Sequence, residues 1–151
     1  MDPSRLKRWE IIAALGGILL AVSIFLPAYS PSENPNAVIE GSRDAVSVWQ
    51  VHDLLRWLLL LAAAAPLILA YIILRDHELS WPRGEVTAVT GIFATGLVVY
   101  NGVLDRPGEP SGQISLAAGW YGLLLGAVLI AVGGAMRTSE SERRRKPPGV
   151  L

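Results

Sequence analysis

Four apolar runs constrain this chain more than any other feature: Ile11–Tyr29, Leu54–Leu74, Val86–Leu104 and Ser115–Met136, each 19 to 22 residues long. About 20 helical residues, at ~1.5 Å each, cover the ~30 Å hydrocarbon core of a bilayer. In lipid each backbone amide has to be satisfied within the protein, so a helix is the natural form of every run. The pattern predicts an all-α membrane protein: four transmembrane helices in an antiparallel bundle with short loops, over residues 1–136. The runs fill more than half of the 151 positions, and the rest is too divided for a separate soluble domain. A mean hydropathy of +0.42 with only 17% charged residues agrees with this reading.

Charge orients the bundle. Ten of the 13 basic residues lie on one side of the runs: Arg5, Lys7, Arg8, Arg75, Arg83, Arg137, and Arg143 to Lys146. The other side has Arg43 and Arg106, with Arg56 at a helix mouth. The positive-inside rule then places both termini in the cytoplasm, and the expected location is the plasma membrane. Residues 137–151 are read as a basic, disordered cytoplasmic tail. Its Arg143, Arg144, Arg145 and Lys146 would attract anionic lipid at ~1 kcal/mol per basic residue. The absence of cysteine excludes disulfides, thiolate metal sites and thiol redox chemistry. The basic start and first run also imitate a signal peptide, but the run is long and lacks a clean A-x-A site, which favours an uncleaved span. Glu10 sits at the inner border of that run, and Pro27, in its last turn, can help end the helix. Trp9 and Tyr29 suit the interfacial belts, and Trp120-Tyr121 mark the outer interface of the fourth run.

Small residues recur at helical spacing and mark faces where helices can approach closely. Ala13, Gly17 and Ala21 do so in the first run and Gly91, between Thr87 and Thr95, in the third. Ala118, Gly122, Gly126 and Gly134 share a face of the fourth. Pro66, after four alanines, should bend the second helix and free the carbonyl of Ala62. Thr87, Thr90 and Thr95 are candidates to take up that carbonyl.

The stretch "SVWQVHDLLRW" raises the sharpest functional question. Ser47 and Gln50 have capping-box spacing, so a helix should start near Val48, ahead of the apolar run. His52, Asp53 and Arg56 then sit at its outer mouth, with Asn101 at the outer end of the third helix. These four could line the mouth of a transporter or channel component. The plainer reading is a rim pair, Asp53–Arg56, with Arg56 reaching the interface between belt tryptophans. The 24-residue outer loop from Ser30 to Asp53 is read as an exposed connector, with a possible hairpin around Gly41-Ser42. On the inner side, Asp76, His77 and Glu78 are adjacent on a turn and do not converge as metal ligands.

No GxxxxGK[ST], GxGxxG, HExxH, SxxK or GxSxG pattern occurs, and Arg56 is the only charged side chain inside the runs. Accordingly no catalytic, cofactor-binding or metal-ligating residue is assigned, and neither an enzyme nor a nucleic-acid binder is expected. "FLPAY", "SVWQVHDLL" and "GWYGLLLGAVLIAVGGAM" together resemble a group of small four-span membrane proteins of high-GC Gram-positive bacteria. The resemblance implies architecture and membrane location, and no activity. Two readings follow: a non-catalytic structural or accessory protein that packs against itself or a membrane partner, and the small transporter component described above.

Overall fold

The computed structural model describes residues 3–77, 82–145 and 149. Helix α1 spans Arg8–Ser23. It opens with the carboxylate of Glu10 accepting the Lys7 amide at 2.9 Å, which satisfies one of the donors a helix start leaves free. It ends early. Amides of Phe25 and Leu26 turn back to Val22 and Ser23, tightening the last turn before Pro27. A proline disfavours helical geometry in the residue before it and has no amide to donate. The first run is therefore not one helix to Tyr29: Pro27–Pro31 forms strand β1.

Strand β1 is the centre of a three-stranded antiparallel sheet, between β2 (Val46–Ser47) and β3 (Ile114–Leu116). Tyr29 pairs with Val46 on one side and with Leu116 on the other. The fourth run thus begins as a strand, and its helix, α5, spans Ala118–Arg145. Residues 137–145, expected to be disordered, instead continue this helix; Lys146 lies outside the described residues. The loop after β1 is not an open connector either. Ala37, Ile39, Val46 and Val48 are buried there with Ala28, Tyr29 and Ile114. Ile39 and Ser42 exchange two backbone hydrogen bonds across Glu40-Gly41, both with positive φ (49° and 80°). That is the type I′ geometry of a two-residue hairpin, one position earlier than Gly41-Ser42. The result is a folded cap over the end of the helices where α1 finishes and α5 begins, labelled the outer end after the expected orientation, with the opposite end the inner one.

The capping box at Ser47 forms as its spacing predicts, with the Gln50 amide donating to Ser47 Oγ at 3.3 Å. It starts only one turn, α2 (Val48–Val51), and the chain is extended at His52 before α3 (Leu55–Leu74) begins. Helix α3 passes through Pro66 without interruption. Helix α4 covers Arg83–Val99 and runs on as a π turn, Tyr100–Leu104. Thr90 and Thr95 donate to carbonyls of α4 itself, Val86 and Gly91, rather than to α3. Among the described residues the chain thus folds as five α-helices with a small sheet rather than as a plain four-helix bundle. Among the described residues, three helical segments are long and apolar enough to cross a membrane: Leu55–Leu74, Gly84–Leu104 and Ala118–Arg144, with mean hydropathies of 2.5, 1.5 and 1.7.

The long helices form a ring in the order α3, α1, α5, α4, in which α3 and α4 touch little. Glycines set the close approaches. A methyl built on Gly126 would lie 2.7 Å from Leu20 N and 2.8 Å from Gly16 O, so α1 and α5 meet backbone to backbone. Gly122 packs on Ser23, and Gly133 on Trp9 and Ala13. Gly17 faces Ala63 and Pro66 of α3. Gly91 and Gly134 join α4 to α5, at Ala131 and Ala88. The small-residue face expected on the fourth helix is therefore split. Gly122 and Gly126 serve α1, Gly134 serves α4, and Ala118 is exposed while Gly119 packs against the carbonyls of Leu26 and Pro27. Ala21 is partly buried against the core. Trp120, expected at the interface, is buried and donates to Val98 O at 3.1 Å.

This packing makes a graded expectation. Gly126→Leu and Gly122→Leu should each destabilise the protein by at least the ~1–3 kcal/mol typical of overpacking, because Gly126 faces backbone and Gly122 faces the fully buried Ser23. Gly96→Leu on α4, where a Cβ meets open space, should be near neutral. Thermal melts of the three variants in one detergent check this, and equal melting temperatures would count against the glycine-set contacts.

Candidate functional site

Polar side chains gather at the two ends of the ring. At the outer end the four residues singled out in the sequence separate into two groups. Arg56 packs against two tryptophans. Its Nη1 donates to Trp49 O at 3.1 Å, and its guanidinium carbon stands 5.0 Å and 5.9 Å from the ring centroids of Trp49 and Trp57. Trp49 in turn packs on Phe25. Arg56 Nη2 is 3.5 Å from Asp53 Oδ1, and the Asp53 side chain is 93% exposed. Water competes fully for such a carboxylate, so the pair is a rim interaction of small net value.

His52 and Asn101 form the second group, joined by a residue the sequence reading placed only in an aromatic belt. The Tyr29 hydroxyl donates to the backbone carbonyl of Asn101 at 3.2 Å and lies 3.3 Å from His52 Nε2. The break between α2 and α3 lets His52 make this contact. The Asn101 amide donates to Leu97 O of its own helix at 2.9 Å. Arg106 closes the network from behind, donating to the carbonyls of Gly102 and Ile114. Burial pushes the Tyr29 hydroxyl up, with Arg106 opposing and Asp105 adding to the shift. Burial also holds His52 below its ordinary value of 6.5, against the opposing pull of Asp105 and Glu40. Both groups are therefore neutral near pH 7.

The inner end holds the arrangement that sequence reasoning missed. Glu10, assigned only to the inner border, has a side chain just 5% exposed, and its Oε1 is 3.0 Å from Arg137 Nε, itself 17% exposed. Arg137 Nη1 reaches Ser141 Oγ at 3.4 Å. Beside this pair Glu140 Oε1 accepts from Trp9 Nε1 at 3.0 Å and from Arg8 at 3.3 Å. Arg5 pairs with Asp76 at the end of α3. The only sequence signal was positional: an acid at the mouth of the first run and a base directly after the last.

Glu10 and Arg137 border a small central space shared with Trp9, Pro66, Leu69 and Thr87. Its volume of about 10 Å³ accommodates roughly one water. A separate open groove of about 360 Å³ lies at the outer end, between the α2–α3 junction and Asn101. The two have no lining residue in common. Among the described residues, no three His, Cys, Asp or Glu side chains converge as metal ligands. Comparison with protein-family models, with characterised proteins and with solved structures finds no match for this chain.

The two ion pairs should respond oppositely to loss of their arginine. Arg137→Leu strands the carboxylate of Glu10 and should cost ~3–5 kcal/mol, largely restored by adding Glu10→Leu. Arg56→Leu and Asp53→Asn should each stay below ~1 kcal/mol. Melting temperatures of the single and double variants decide this; a large loss at Arg56 would reject the rim assignment.

His52 adds a pH dependence. Its folded value lies below the unfolded ~6.5, so its contribution is present above that value and lost as pH falls through it. The melting temperature of the native protein should drop between pH 7.5 and 5.5 by more than that of His52→Gln. Parallel curves would show that His52 is not held neutral by the fold.

Proposed function

We propose that this chain is an integral membrane protein of the plasma membrane, with four spans and both termini cytoplasmic. In this reading it acts without catalysis, as a structural or accessory protein working through helix packing and its outer cap. The observation that carries the fourth span is on α1. Ile11, Leu15, Ile18, Val22 and Phe25, at three- and four-residue steps, are 43–57% exposed. A continuous apolar stripe of this kind is a liability in water and ordinary in lipid. Helix α1 is shorter than the other three, at 16 residues, and its closing turn to Leu26 lengthens the apolar segment. Comparable outward faces occur on α3 (Leu61, Ile68), α4 (Val89, Ile92, Phe93) and α5 (Leu125, Val132).

The packing reading is favoured over a conduit. The outer groove and the small space that Pro66 borders have no lining residue in common. The alternative, a small transporter or channel component with an outer mouth at His52, Asp53 and Arg56, would need α3 and α4 to part. The group of small four-span membrane proteins that the sequence resembles fits the same architecture. Natural partners of this protein are the lipid bilayer and a second membrane-embedded chain, its own copy or another. The end of α5, carrying Arg143, Arg144 and Arg145, and the following Lys146 suit anionic lipid.

The cysteine-free sequence allows a direct topology test. Cysteine introduced at Ser32 or Ser111 should react with a membrane-impermeant maleimide in intact cells. Cysteine at Ser139 should react only after permeabilisation. Labelling of Ser139→Cys in intact cells, or of all three positions alike, would refute the orientation.

A further inference from the structure

The α3–α4 seam is the loose side of the ring, and at its outer end it opens into the groove of about 360 Å³, within the size range of ligand sites. Leu58 and Leu97 form its apolar floor, and Leu54 and Tyr100 its edges, 71% and 52% exposed. Asp53 and Asn101 stand at its mouth. Both walls leave regular helical geometry at this level, at His52 in one and at the π turn from Tyr100 in the other. Interruptions of that kind concentrate at functional sites.

Charge selects the occupant. The outer cap and its rim carry the acids Glu33, Glu40, Asp44, Asp53, Asp105 and Glu109 against Arg43, Arg56 and Arg106. Arg106 is engaged by two carbonyls, and Arg56 is covered by two tryptophans. At the mouth the Asp53 carboxylate, 93% exposed against 27% for its ion-pair partner Arg56, is the more accessible charge. A partner helix, ~10 Å across, needs a long trough, whereas this groove is confined to the outer end. One acyl chain of a lipid whose zwitterionic headgroup ends in an ammonium fits both its shape and its charge.

We propose that the groove holds one aminophospholipid of the surrounding leaflet, with its ammonium on Asp53 and an acyl chain along Leu58 and Leu97. The proposal rests on the membrane reading above. The test is native mass spectrometry of the detergent-purified full chain, titrated with phosphatidylethanolamine or with phosphatidylglycerol of identical acyl chains. One phosphatidylethanolamine should bind about three- to fivefold more tightly, as expected for one exposed ion pair. Asp53→Asn, at a solvated position that the fold does not depend on, should abolish the preference. A second variant, Leu58→Trp, should fill the floor and lower the binding of both lipids. Equal binding by the native chain, an unchanged preference in Asp53→Asn, or full binding by a folded Leu58→Trp would each overturn the groove. Release of the protein from membranes by alkaline carbonate would instead sink the membrane reading itself.

Discussion

The backbone-to-backbone approach of α1 and α5 is the contact on which the rest of the structure depends. Without side chains at Gly16 and Gly126, carbonyl and amide of one helix come within van der Waals range of the other. Such an approach gains dispersion contacts along both helices, the main attraction left when lipid is as apolar as the side chains. Helices α3 and α4 are then added on opposite flanks, α3 through Gly17 on α1 and α4 through Gly91 and Gly134 on α5. Each flank has its own glycine-defined partner, and neither flank needs the other. The slack seam between α3 and α4, and the groove at its outer end, follow from that arrangement.

The two ends of the α1–α5 pair are fastened by different physics. At the outer end the chain leaving α1 and the chain entering α5 are neighbouring strands, paired from Tyr29–Leu116 to Pro31–Ile114. At the inner end a nearly buried Glu10–Arg137 pair does the same work electrostatically. A pair that excludes water gives strong geometric constraint, but desolvation offsets much of its attraction, so its value lies more in register than in net stability. The Asp53–Arg56 pair shows the contrast. It is visible in the sequence, lies within ion-pair distance, and yet is too wet to constrain anything.

The apolar lengths made three of the helices legible, and the capping box at Ser47 formed where its spacing indicated. Pro27 was also legible as a stop, although its consequence was not. A proline closing a lipid-length run reads as a helix end, and nothing local says that a strand follows. The cap was hidden for the same reason: β1 pairs with Ile114–Leu116, about 85 positions away, and a two-residue strand such as Val46–Ser47 has no periodicity to detect. Glycine spacing correctly marked close-packed helices but could not say which neighbour each glycine meets. Gly122 and Gly134 lie on different flanks of α5, a division set by tertiary contacts. Glu10 was judged by its position at a border, when its burial depends on where the end of α5 lies.

The pairing of the first long helix with the last has a consequence for biosynthesis. Gly16 and Gly126 are separated by 110 positions. At the usual ~5–20 residues per second, the partner of α1 emerges roughly 5–20 s after α1 itself. Throughout that interval the glycine face of α1 has no α5 to meet, and Glu10 has no arginine. The central strand of the cap likewise waits for β3. Helices α3 and α4 can arrive and dock loosely, but the structure closes only when α5 enters, fastening sheet, glycine contact and ion pair together. Assembly is therefore gated by α5, and a chain interrupted before it would present an unpaired acid and an open strand edge to the cell's quality-control machinery.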